Sequence, residues 1–258
     1  GSGFEMNPHV AEVANPFEML MGSTAEKVAK TYGVSRADQD AFAFRSHQKA
    51  AAAHKEGRFK DEIVPIEGLD DAGNPKVYET DQTIRADASV EKMGTLMPAF
   101  DPAGSVTAGN SSPLNDGSAA LLLMSAEKAA ALGVKPLAKI KAMAVAGVDP
   151  TVMGIGPVPA VRKALKRAGL AVGDIDLVEI NEAFASQSLY CLRELGIPEE
   201  KANVNGGAIA IGHPLGCSGA RILVTLVHEM KRRKSKYGLG TLCIGFGMGA
   251  ATIVEGVH

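Results

Sequence analysis

From residue 136 onward, short apolar runs alternate with amphipathic stretches, and that spacing leaves few folds open. Residues 137–147 read as a strand. Residues 158–168 read as an amphipathic helix closed by Gly169, with Lys and Arg in its last turns. Residues 175–180 form a short apolar run of the buried-strand type, and 182–195 a helix stopped by Gly196 and Pro198. A helix over 218–233 and closing strands over 240–245 and 250–255 complete the series. This alternation predicts a layered α/β sheet with helices on its faces.

The first hundred residues have a different character. Helices are expected over 23–32 and 35–56, the second opened by Ser35 with Asp38 at the capping-box position. A short strand at 63–66 and a turn at 70–75 follow. Long buried-strand patterns are scarce, so this stretch reads as an excursion rather than a core. Residues 105–117 are dense in turn formers. Residues 118–125, SAALLLMS, then give a continuous apolar run expected to be a buried strand, with a helix at 126–132 ended by Gly133.

Composition narrows the function. The 258 residues are 46% hydrophobic and 22% charged, as in an ordinary soluble globular chain with room for one large or two smaller domains. A net charge of -2 offers no general attraction to nucleic acid or anionic lipid. No apolar run is long enough to span a bilayer, and no secretory signal is visible. The opening GSGFEMNPH carries no initiator Met, as in a tag remnant or a cut product. Three cysteines without CxxC spacing, Cys191, Cys217 and Cys243, argue against a disulfide framework or a zinc site. A cytoplasmic or organellar matrix compartment is expected, with each thiol either a buried small hydrophobe or a nucleophile.

Four constellations carry chemistry. In VTAGNSSPLNDG (106–117), Ser111, Ser112 and Asn115 are polar groups on a tight loop. In NEAFA (181–185), Asn181 falls where a buried strand meets a helix; it either caps that helix or faces a ligand. NGGAIAIGHPLGCSGAR (205–221) is glycine-dense and sets His213 on a shaped turn, a good way to present a base or an oxyanion donor. The helix expected from Ser218 also offers free N–H groups. CIGFGMG (243–249) places glycines between two strands, the wrong context for a dinucleotide loop; it reads as a thiol at a strand end before a turn. His228 lacks the second histidine of a zinc helix, KRRKSK (231–236) reads as a solvated helix end, and His9, His47, His54 and His258 have no partner visible in sequence.

In this order the four motifs resemble those of the thiolase family, the acetyl-CoA acetyltransferases and 3-ketoacyl-CoA thiolases. The resemblance extends to MGSTAEKVA (21–29), SRADQDAFAFRSHQKA (35–50), GRFKDEIVPI (57–66) and GVDPTVMGIGPVPAVRKAL (147–165). It implies a layered α-β-α-β-α thiolase fold of two similar halves, with an α-rich loop domain inserted in the first. Residues 1–104 then correspond to the loop domain, 105–133 to the last strand and helix of the N-terminal domain, and 134–258 to the C-terminal domain. The implied reaction is cleavage of a 3-ketoacyl-CoA by coenzyme A, or the reverse Claisen condensation, in fatty-acid β-oxidation and lipid metabolism. By resemblance His213 activates a nucleophilic cysteine and helps hold the thioester oxygen, and Asn181 positions a water in the same oxyanion site. Cys243 is the second, proton-handling cysteine, and the Gly245 N–H is a donor to the acyl oxygen. Ser112 resembles a residue lining the pantetheine tunnel, Met21, Phe100 and Phe184 its apolar walls, and Arg85 a residue near the nucleotide end. Coenzyme A enters as substrate; no metal or permanently bound cofactor is implied.

The family carries its nucleophile upstream of MGSTAEKVA, and no cysteine precedes Cys191 here. The expectation is therefore of an incomplete first half, supplied as a second chain or cleaved fragment, within a dimer or tetramer and with a possible hydratase–dehydrogenase partner. Leu20 replaces the histidine of biosynthetic members and Phe246 a small residue, which points to a degradative 3-ketoacyl-CoA thiolase. The alternatives are a biosynthetic acetoacetyl-CoA thiolase, a non-catalytic CoA-binding or scaffold chain, and a hydrolase using Cys243 and His213 as a dyad.

Overall fold

The computed structural model describes residues 15–257 together with His9 and Glu12. The remaining residues, most of the opening segment and His258, lie outside the described residues. Two helices come first, α1 (Met21–Tyr32) and α2 (Arg36–Lys55). The Ser35 side chain accepts the Asp38 N–H, as the capping pattern predicts. A hairpin of β1 (Ile66–Leu69) and β2 (Pro75–Tyr78) follows. Its turn lies where expected, because Asp70 Oδ1 accepts the N–H groups of Ala72 and Asn74 at 2.9 and 2.8 Å. That turn sets the register, so the first strand begins at Ile66 rather than at 63. A short helix α3 (Val90–Gly94), not expected from the sequence, precedes the loop to α4 (Ala126–Leu132).

The remainder forms the predicted sheet. In chain order it contains β3 (Ala138–Gly147), α5 (Pro157–Ala168), β4 (Leu177–Ile180), α6 (Ala185–Leu195), the single turn α7 (Ala208–Ile211), α8 (Ser218–Arg233), β5 (Tyr237–Ile244) and β6 (Met248–Gly256). The strand order is β3-β6-β5-β4, antiparallel except for β4 with β5. Alternation along the strands sorts their residues between two faces. Val178, Ile180, Leu239 and Ile253 pack with Val161 and Leu165 of α5 and with Leu189 and Leu192 of α6. Leu177 and Val254 pack with Leu226 and Met230 of α8 on the other face. Gly238 lets α8 lie close, since a Cβ there would stand 2.3 Å from the Met230 sulfur.

Two expectations need correction. Residues 118–125 form no strand among the described residues. A buried strand needs neighbours for its N–H and C=O groups, and none lies beside this run; Leu122 and Leu123 stay 83% and 66% exposed. The expected five layers are likewise met only by the α-β-α part built on this four-stranded sheet.

Candidate functional site

Asn181 directly follows β4, and its N–H donates to Thr241 O at 3.0 Å, extending the ladder toward β5. The helix cap is Phe184, not Asn181, because α6 begins only at Ala185. The fully buried Asn181 side chain turns instead to His213, with Nδ2 3.3 Å from Nε2. Its Oδ1 has no hydrogen-bond partner.

The glycine-dense segment shapes the backbone at His213. Gly212 takes φ +101°, and a Cβ there would run into the Asn115 amide at 2.6 Å. That approach lets the His213 N–H donate to Asn115 Oδ1 at 2.8 Å. The ring is held at its other nitrogen by Ser218, with Oγ 2.5 Å from Nδ1. Burial, reinforced by the Arg221 guanidinium, lowers the His213 pKa, so the imidazole is neutral at pH 7 and available as a base.

Cys243 lies near the end of β5, buried with Ala25, Val106, Met153, Ala183 and Phe184. Burial pushes its thiol up to about 12. A thiol held protonated suits a proton donor better than a free nucleophile, which argues against the hydrolase dyad. Gly245 sits in the β5–β6 turn, where a Cβ would meet nothing within 4 Å. Phe246, next in the turn, adopts φ +64°, costly for an aromatic residue.

The loop at 105–117 ties these parts together. Asn110 folds it, accepting the Thr107 N–H at 2.8 Å and donating to Asp40 at 2.9 Å. Glu26 clamps its start through the N–H groups of Ser105 and Val106. The loop then pairs with NEAFA: Ser112 N–H donates to Ala183 O at 3.0 Å, and Ala185 N–H to Asn110 O at 2.9 Å. All four motifs, far apart in sequence, therefore meet at one place.

The residues expected along the coenzyme divide into two groups. Phe100 meets Phe184 edge-on at 6.0 Å between ring centroids and presses on Gly22, beside the exposed Met21. Arg85 lies elsewhere, in a cleft of about 400 Å³ that it lines with His47, Lys92 and Ser111. Ser112 sits between Ser111 and Pro113, both part of that cleft wall. Phe100 instead lines a second hollow of about 820 Å³ with Glu26 and Arg36.

Several residues escaped the sequence reading. His47 accepts the Arg85 N–H at 3.2 Å, and burial with Arg85 nearby lowers its pKa to about 4. Glu182 joins α2 to the glycine-dense segment by accepting from Ser46, Asn203 and the Ile209 N–H. Arg221, whose charge acts on His213, reaches Glu179 at 3.4 Å, and burial raises Glu179 to about 8 and neighbouring Glu62 to about 7. Ser218 carried the one usable signal, a hydroxyl five residues after the histidine in a tight turn. Among the described residues no three His, Cys, Asp or Glu side chains are grouped to hold a metal ion, and no helix is long and apolar enough to cross a membrane.

Comparison with known proteins agrees with this geometry. Residues 6–127 match the model of the thiolase N-terminal domain, and residues 134–256 that of the thiolase C-terminal domain. The N-terminal domain is thus represented here, and the expected lack of an N-terminal segment, with a separate chain to supply it, finds no support in that match. Curated 3-ketoacyl-CoA thiolases of Marinobacter nauticus and Bacillus subtilis are each 57% identical, over 98% and 96% of this chain and 66% of their own length. The 3-ketoacyl-CoA thiolase of Aeromonas salmonicida is 54% identical over 99% of this chain and 67% of its own. The crystal structure of the Bacillus anthracis acetyl-CoA acetyltransferase superposes with a TM-score of 0.90 at 50% identity, covering 92% of this chain and 60% of that one. The chain thus spans about two thirds of the length of the curated relatives it matches.

Proposed function

Since this chain belongs to the thiolase family, we propose that it serves CoA-dependent cleavage of 3-ketoacyl-CoA to acetyl-CoA and a shortened acyl-CoA. The observation that carries the reading is the His213–Asn181 contact at 3.3 Å, with Cys243 clustered against Ala183 and Phe184 of the segment that carries Asn181. In the proposed cycle a protein thiol attacks the 3-keto carbon while His213 Nε2 takes its proton. The C2–C3 bond breaks, and the acetyl-CoA carbanion takes the proton of Cys243 Sγ. Incoming CoA returns a proton to Cys243 as its sulfur attacks the acyl thioester, and the leaving protein thiolate recovers its proton from His213. Burial holds Cys191, Cys217 and Cys243 in the thiol form, so the roles assigned to this chain are proton handling and oxyanion binding.

His213, a water positioned by Asn181, and the Gly245 N–H are the proposed oxyanion groups. Arg85, beside Lys92 in its cleft, is the proposed partner of the nucleotide phosphates, and Ser112, Met21, Phe100 and Phe184 flank the pantetheine arm. Within this reading residues 1–104 form the loop domain that holds the coenzyme, 105–133 the end of the N-terminal domain and 134–258 the C-terminal domain. Assembly as a dimer or tetramer in the cytoplasm or an organellar matrix belongs to the same proposal.

Leu20 and Phe246 favour the degradative direction, while the Bacillus anthracis relative, named an acetyl-CoA acetyltransferase, makes acetoacetyl-CoA synthesis the second reading. Thiolysis measured against acyl chain length tests both. Cleavage extending beyond acetoacetyl-CoA is expected, with losses of about 10²–10⁴-fold in Cys243→Ala and about 10²–10³-fold in Asn181→Ala. Strict preference for acetoacetyl-CoA overturns the degradative reading, and no cleavage of any chain length in an assay that supplies the nucleophilic cysteine overturns acyl transfer.

A further inference from the structure

The turn that carries His213 holds a second polar side chain whose protons can be counted. Ser218 is buried at the start of α8, and its Oγ has two neighbours: Pro214 O at 3.0 Å and His213 Nδ1 at 2.5 Å. A hydroxyl has one proton to give and lone pairs with which to accept. Pro214 O can only accept. Were the Ser218 proton spent on Nδ1, two oxygens would face each other at 3.0 Å with no proton between them. Were it given to Pro214 O, both contacts would be hydrogen bonds, provided the ring donates from Nδ1.

The opposite edge of the ring agrees. Asn181 Nδ2 is a donor and faces Nε2 at 3.3 Å, which suits a bare nitrogen and not an N–H. Arg221, one turn into the same helix, adds positive charge that disfavours a second proton on the imidazole.

We propose that Ser218 is a positioning residue: by accepting from Nδ1–H and donating to Pro214 O, it fixes the His213 tautomer and leaves Nε2 free to take a proton. Ser218 touches neither substrate nor reacting atoms in this scheme and acts through the ring. The inference rests on the reading of His213 as the base, but the position of one proton can be measured without turnover.

Nitrogen-15 NMR of the labelled chain, above the pH at which His213 is charged, reads that position directly; His213→Gln identifies the signals. The expected result is a protonated Nδ1 and a bare Nε2, with Ser218→Ala shifting the ring to a mixture or to the opposite tautomer and Ser218→Thr restoring the original. A wild-type ring carrying its proton on Nε2 overturns the proposal, whether or not any variant folds. So does Ser218→Ala with an unchanged tautomer. If the tautomer behaves as expected while no 3-ketoacyl-CoA is cleaved even with the nucleophilic cysteine supplied, the functional reading fails and the positioning role stands.

Discussion

The sheet region and the loop region of this chain are held together by different forces. Between Ala138 and Gly256 the inner strands of the sheet are covered on both faces, although the edge strand β3 leaves Met143 and Val145 exposed, and the sheet's centre is apolar: Leu239 and Ile253 are fully buried among side chains of α5 and α6. Between Met21 and Gly117 the strands are few, and the hairpin exposes Leu69 and Val77. Polar clamps fix the chain there instead: Glu26 on the amides of Ser105 and Val106, Arg36 on Asp40 and on the carbonyls of Met93 and Leu96, and Asp40 on Asn110. Apolar burial is non-directional and stabilises a whole layer, whereas a buried carboxylate fixes particular amides at particular distances. The site draws on both: Asn181 and Cys243 come from strand ends, and Asn115 from the clamped loop holds the His213 backbone.

Breaking each kind of support should have a different reach. The largest effect is expected from Leu239→Ala, which opens a cavity in the closed layer at a cost of about 2–5 kcal/mol. Denaturant unfolding measures it, and a loss under about 1 kcal/mol would mean that the layer is not the stability centre. Asp40→Ala comes next. It leaves Asn110 Nδ2 with one partner fewer and Arg36 without its carboxylate, at about 1–3 kcal/mol. Its effect should stay local: amide exchange at 105–112 accelerates while that of 238–254 holds. Equal acceleration in both regions would erase the distinction between them.

The third expectation concerns a charge inside the sheet region and begins at zero. Glu179 has its pKa raised from 4.5 to about 8, chiefly by burial, with Arg221 opposing. A raised acid binds its proton more tightly in the folded state, so its contribution is complete below pH 4.5 and is lost as pH rises toward 8. Glu179→Gln cannot ionise. Wild type and variant should match at low pH, and the variant should gain on the wild type as pH rises through that window. Parallel pH profiles would refute the raised value. His47, lowered from 6.5 to about 4 by burial, adds the opposite slope to both proteins, since its contribution is lost as pH falls from 6.5 toward 4.

The same division explains what could be read before the structure was known. The strands and helices after residue 136 follow from periodicity, and their ends from Gly169 and Gly196, which stand at left-handed positions after α5 and α6. His213, Asn181 and Cys243 stood out because strand ends and glycine-dense turns are places where a side chain is presented rather than packed. The run at 118–125 misled, since apolar sequence reports a tendency to be buried and not the presence of a neighbouring strand. Glu26, Asp40, Glu62 and Arg221 gave no warning. A charged residue in a helical pattern reads as solvated face, and nothing local reveals that a distant amide will meet it.

What the sequence determined by itself was local: most element types, their caps and turns, and the motifs that mark this chain as a member of the thiolase family. These follow from backbone preferences and apolar spacing over a few residues. Only the tertiary structure decided that Asn115, Asn181, Ser218 and His213 form one hydrogen-bonded set, and on which edge of the imidazole each partner lies. Those contacts join residues up to a hundred positions apart, and their geometry is fixed by how the clamped loop seats against the end of the sheet.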